Sequence, residues 1–247
     1  MLKMAMLKFI LIILISLSFS VHSSETKISL VLPLVDGWAH KTNKSYAPEA
    51  INRITKGDLR KKISLNYRPF KRALQAFKKK KFDCFVGGDE NTMLDFASVK
   101  TISSKMIRNT SLRVYTLKKN KKVMNLKQLE GKKVIYVRGL ELKSLEHDFS
   151  KVQTSSVNDV IQAVKMMKAE RIEALLHWFP STKEIMSDFH NHHSIILYTI
   201  KERVNCHINA RSKKFIKELN EMITSFDAVG GIKKLHTDFY GDLPFKH

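Results

Sequence analysis

Two tryptophans, a glycine–acid loop and a set of clustered histidines are the side chains whose types and spacing could do chemistry in this chain. Trp38 and Trp178 are the only tryptophans. Trp38 lies in the loop VDGWAHKTNKS that follows the apolar run KISLVLPL, and Trp178 lies near the end of RIEALLHWF. The stretch GGDENTMLD, residues 87–95, brings Asp89, Glu90, Thr92 and Asp95 close together in sequence. Aromatic faces beside carboxylates suit a cationic or ring-bearing small molecule. HNHHS, residues 190–194, with His177, His207 or Cys206, offers imidazoles to a transition metal. Adjacent histidines on one loop cannot all face one ion, however, and no spacing matches a closed zinc site. Neither a metal nor any other cofactor is expected. General-acid chemistry would need a carboxyl group with a raised pKa, for which Glu90, Asp95 and Glu141 are available. No Ser/His/Asp or Cys/His arrangement accompanies them, so the expectation is a binding protein and not an enzyme.

The ends and the charge narrow the setting. MLKMAMLK opens with two lysines and no acid, FILIILISLSFSV is apolar, and small residues follow at Val21 and Ser23. This is the pattern of a secretory signal peptide over residues 1–23. An uncleaved anchor is the alternative, and the run is short against the roughly 20 residues of a membrane span. The net charge is +21. An exported basic chain meets anionic lipid surfaces and anionic solutes, so no nucleic-acid partner is expected and a periplasmic location is. Export also permits a disulfide between Cys84 and Cys206, but two cysteines without framework spacing predict nothing firm, and two buried free thiols are the default expectation with pairing as the alternative.

The elements that must position these residues alternate. KISLVLPL (27–34) predicts a strand, YAPEAINRITKG (46–57) a helix and KISLNYRP (62–69) a second strand. In FKRALQAFKKKKFDCFVGG (70–88), Phe70, Ala73, Leu74 and Phe77 fall at helical spacing, and FDCFV predicts a buried strand. The four lysines between them read as the solvated end of the helix, where cations suit its dipole; a dedicated anion site is the other reading. LRVYTLKK (112–119), a short helix with a strand in NLKQLEGKKVIYVRG (125–139), and a second alternating series up to HSIILYTI follow. A long amphipathic helix, SKKFIKELNEMITSFDAVGG (212–231), comes near the end. Strand–helix alternation of this kind implies parallel sheets with crossover helices, and here two α/β lobes.

In three stretches the chain resembles the bacterial extracellular solute-binding proteins of the polar amino-acid-binding family (family 3), which have the two-lobed type II periplasmic binding fold. FKRALQAFKKKKFDCFVGG is similar to the family's helix, basic turn and Asp-led strand. LRVYTLKKNKKVMNLKQLEGKKVIYVRG looks like its crossing between lobes, and ARSKKFIKELNEMITSFDAVGGIKKLHTDFYGD like its C-terminal helix pair. The resemblance implies lobe 1 over 24–114, lobe 2 over 115–202 and a return to lobe 1 over 203–247. It also implies hinge closure on a small solute and delivery by a monomer to an ABC-type permease. A stand-alone sensory or scaffolding module serving a membrane sensor is the alternative, and a dehydratase-like enzyme of the same fold a more distant one.

Departures from the family bear on the solute. Where the family grips a carboxylate with Thr-x-x-Arg, this chain has Thr92-Met93-Leu94-Asp95. Its Gly-Ser/Thr pair reads Gly139-Leu140-Glu141 here, and its lobe 2 Asp corresponds to Trp178 or His177. A free α-amino acid is therefore not the expected solute. The expected ligand-binding residues are Trp38, Asp89, Thr92 and Asp95 from lobe 1, with Arg138, Glu141 and Trp178 from lobe 2. In that arrangement both tryptophans stack on the solute and an acid pairs with its cationic group.

Overall fold

The computed structural model describes residues 27–35, 37–40, 44–117, 124–137, 149–180 and 192–241. Strand β1 (Ile28–Leu34) runs parallel to both β2 (Ile63–Pro69) and β3 (Cys84–Val86). Helices α1 (Tyr46–Ile54), α2 (Gly57–Lys61) and α3 (Phe70–Lys78) make the crossovers. The single helix expected over 46–57 is cut at Thr55, which takes an extended backbone and donates its hydroxyl back to the Ile51 carbonyl. Strand β1 is buried on both faces, as a strand covered by helices on each side must be. Leu30 and Leu32 pack with Tyr46, Ile51 and Phe215, while Val31 packs with Phe77 and Phe85. Helix α3 buries Ala73 and Phe77, four residues apart and so on one face, and leaves Lys78 exposed at its last turn.

After β3 come α4 (Glu90–Ala97) and β4 (Thr101–Ser103), and the chain then leaves the first sheet. Strands β5 (Arg108–Leu117), β6 (Lys133–Val137), β7 (Gln153–Val157), β8 (Ala174–Phe179) and β9 (His192–Glu202) form the second sheet, with α5 (Val160–Lys168) packed against it. A 3-10 turn, Leu126–Leu129, stands where a short helix is expected before β6. Strand β10 (Val204–His207) then returns to the first sheet, and α6 (Ala210–Ala228) and α7 (Gly231–Tyr240) follow. The strand orders are β2-β1-β3-β10-β4 and β7-β6-β8-β5-β9. The expected lobe boundary at residue 114 falls inside β5. That strand belongs to the second sheet from Arg108 onward, because it pairs with β9 along its whole length.

Two features tie the return strand to the first. Cys84 and Cys206 are directly opposed on β3 and β10, Cα to Cα 4.0 Å, and are joined by a disulfide with both residues fully buried. Of the two states the sequence leaves open, the pair is the one present. Beside it, Asn205 donates from Nδ2 to the carbonyls of Gly87 and Gly88 at 2.9 and 3.2 Å. The loop after β3 is therefore held by the strand that comes back from lobe 2.

Candidate ligand cleft

The candidate site begins where β3 ends. Gly87 and Gly88 both have positive φ, 129° and 67°. A Cβ on Gly88 would stand 2.9 Å from Thr92 Cγ2, and one on Gly87 would meet Glu202 Oε2 at 3.2 Å and Trp38 Nε1 at 3.3 Å. Only glycine fits both the backbone and the space. The turn delivers Asp89 to the N-cap of α4, where its Oδ1 accepts from the Thr92 backbone N–H at 2.9 Å and from Thr92 Oγ1 at 2.8 Å. Thr92 is buried, and Asp95 lies exposed one turn further on. An N-terminus that would attract a carboxylate is thus capped by the chain's own acid, with Glu90 in the first turn and no basic residue in the last.

Lobe 2 faces this loop with an aromatic residue that the sequence reading did not select. Leu112 on β5 is paired with Trp178 on β8 and with Tyr198 on β9. Residues directly opposite in a sheet share a face, so Trp178 and Tyr198 flank the buried Leu112 on one side of the sheet. Both are partly buried. The Tyr198 phenol lies beside the Thr92 side chain, near enough to Asp89 and Asp95 to feel their charge. Burial raises the Tyr198 pKa and the Asp89 and Asp95 charges raise it further, while the Thr92 contact lowers it. A neutral phenol is the result. Tyr198 thus stands at the Thr92–Asp89 pair, where the lobe 2 sheet approaches the first turn of α4.

Trp38 is not on this surface. It is 3% exposed, stacked on Tyr46 at 5.8 Å between ring centroids, with the Arg108 guanidinium 4.3 Å from its own centroid. Its Nε1 donates to the Val86 carbonyl at 3.3 Å. The expected stacking role is corrected on this point: Arg108 and Tyr46 already cover the ring, so Trp38 supports the Gly87–Gly88 turn from beneath. Arg108 Nη2 lies 3.6 Å from Glu202 Oε1, and Glu202 Oε2 accepts from the Gly88 N–H at 2.6 Å. Burial holds the Glu202 carboxyl above the usual range, against the opposite pull of Arg108 and the Gly88 N–H. Arg138 and Glu141 lie outside the described residues, as do residues 190 and 191 of the histidine cluster. His192 and His193 are on β9, one buried and the next less so.

No family model matches this sequence, and no curated protein matches it either. Solved structures do. A substrate-binding protein of an ABC uptake transporter from Streptococcus pneumoniae, with bound histidine, superposes with a TM-score of 0.66 at 14% identity, over 91% of this chain and 96% of that one. The GluR0 ligand-binding core from Nostoc punctiforme, in complex with L-glutamate, gives 0.65 at 12% identity, over 87% and 99%. The P235GK mutant of ArgBP from T. maritima gives 0.64 at 12% identity, over 87% and 96%. The chain has the type II periplasmic binding fold.

Proposed function

We propose that this chain is an exported solute-binding protein that closes its lobes on a small cationic or ring-bearing solute and hands it to an ABC-type permease. The observation that carries the reading is the contact of Tyr198 with Thr92 beside Asp89. It joins an aromatic pair of lobe 2 to a carboxylate-rich helix start of lobe 1, at the carboxyl end of β3, where open α/β sheets bind ligands. The likeness to transporter binding proteins supports it. With Asp89 capping α4 and Asp95 nearly two turns on, a solute amine finds countercharge there and a solute carboxylate does not. Trp178 and Tyr198 supply the ring faces, Thr92 a hydrogen bond, and Arg138 and Glu141 further polar contacts from lobe 2. Asp95 and Glu141 bind in this reading and do not catalyse.

The test is a thermal-unfolding screen of the chain from residue 24 against polyamines, aromatic amines, amino acids, sugars and organic acids. A solute at one hundred times its dissociation constant adds about 2.7 kcal/mol. Stabilisation by amines that Trp178→Ala and Tyr198→Ala each cut to about half supports the reading. Stabilisation confined to carboxylates lacking an amine overturns it. The second reading, a sensory module that hands on no solute, draws on the likeness to the GluR0 ligand-binding core. It requires solute-dependent capture of a receptor in place of a permease.

A further inference from the structure

The topology of the first sheet gathers lysines from separate segments at one place. Strands β1, β2 and β3 are parallel and start at the same end, opposite the cleft. Lys27 immediately precedes β1, and Lys61 and Lys62 immediately precede β2. Lys78 to Lys81 lead into β3, all four exposed. Strand β10 is antiparallel and ends here, since Cys206 faces Cys84 and His207 N–H donates to the Asp83 carbonyl. Arg211 follows in the first turn of α6. His207 also faces Thr101, which places exposed Lys100 at the same end. The acids present are already engaged. Asp58 holds Lys61 at 3.0 Å, and Asp83 accepts from the Ser29 backbone and hydroxyl at 2.7 Å each, with Arg211 at 3.8 Å.

Among these charges stands an apolar side chain without cover. Ile208, between β10 and α6, is 55% exposed. A group of ammonium charges with an exposed aliphatic residue among them fits a surface that offers many phosphates and an apolar interior beneath them. Lysine is a flexible point charge, suited to a mobile array of headgroups rather than to one bidentate partner.

We propose that this pole of lobe 1 docks on the surface of a bilayer containing anionic phospholipid, leaving the cleft at the far end clear of the membrane. The experiment is flotation of the chain from residue 24 with vesicles of phosphatidylcholine alone or mixed equally with phosphatidylglycerol. Binding to the mixed vesicles only, lost as salt rises from about 0.1 M to about 0.5 M, is expected, because screening tightens as the Debye length shrinks. Changing Lys78, Lys79 and Lys81 to glutamate should weaken binding at least tenfold, and Ile208→Ala should weaken it at about 0.1 M salt. A control changing Lys151, Lys165 and Lys168 of lobe 2 to glutamate should bind as before, with far-ultraviolet dichroism confirming that each variant folds. Absence of binding to the mixed vesicles, an equal loss in the lobe 2 control, or equally tight binding to soluble polyphosphate would each overturn the lipid assignment. Solute-induced stabilisation should be unchanged in the lysine variants, which separates this proposal from the cleft reading.

Discussion

Arg108 and Glu202 are cross-strand partners at the point where the chain passes between lobes. The first residue of β5 lies opposite the last residue of β9, with Nη2 3.6 Å from Oε1 and both residues buried. The carboxylate's other oxygen holds the Gly88 N–H, so one buried pair reaches both the crossing and the loop that begins the candidate site. Removing the guanidinium strands a buried carboxylate. Arg108→Met is expected to cost about 3–5 kcal/mol in urea unfolding, and Arg108→Met with Glu202→Gln to cost less than the single change. Equal or additive losses would show that the two residues do not act as a pair.

Trp38→Ala removes a fully packed ring and the support under Val86 and Gly87. A loss of about 3–5 kcal/mol in stability is expected. Solute affinity at fixed folded fraction should fall far less than it does in Trp178→Ala or Tyr198→Ala, each expected to lose about tenfold as a stacking face is withdrawn. Calorimetric titration below the melting transition distinguishes the two kinds of effect.

How the tryptophans divide shows what could be read from sequence. The strand–helix alternation, the amphipathic α3 and the two-lobed fold follow from apolar spacing that burial then obeys. Trp38 does not, because a residue in a strand-to-helix loop can turn inward or outward. The groups that draw this one inward, Arg108 and Val86, lie far along the chain. Tyr198 escaped notice for a related reason: its value lies in being paired through Leu112 with Trp178, and register between distant strands is not written locally. Helix α4 is short and lacks a clear apolar face, and its cap residues Asp89 and Thr92 are types that serve a helix start and a ligand equally well. The aspartate in place of the family's arginine at Asp95 was visible from the outset.

The disulfide should matter to folding more than its burial suggests. Cys84 and Cys206 are 122 residues apart in sequence, and closing so long a loop restricts the unfolded chain by about 2–5 kcal/mol. Changing both cysteines to alanine is expected to lower the urea midpoint accordingly, and reductant should destabilise the parent chain but not that variant. Thiol labelling under denaturing conditions, with and without reductant, reports the pairing directly.

Acid should act through His177. It is buried on β8, and burial pulls its pKa down to about 4 from an unfolded value near 6.5. The unfolded chain therefore takes up the proton first. Stability contributed by the neutral ring is complete above roughly pH 6.5 and is lost as pH falls toward 4, by roughly 3 kcal/mol in all. His236 is pulled down to about 4 as well, by burial and then by the Arg108 charge. His177→Leu should flatten the dependence of unfolding free energy on pH over that window. An unchanged slope would remove His177 from the account.

Strands β5 and β9 remain paired from Arg108 opposite Glu202 to Leu117 opposite His192, so lobe 2 enters and leaves through neighbouring positions of a single ribbon. Cross-strand neighbours lie about 4.5–5.5 Å apart at their Cα atoms, a gap that a tight turn spans. In architectural terms the second lobe is an insert with adjoining ends, sewn into a first lobe whose own seam is already closed by Cys84–Cys206. A short turn joining residue 108 to residue 202 would excise the insert while leaving the first sheet's strand order, its disulfide and its basic pole untouched. Lobe 2 and the basic pole of lobe 1 are thus separable by a single deletion, which takes with it only the lobe 2 side of the candidate site.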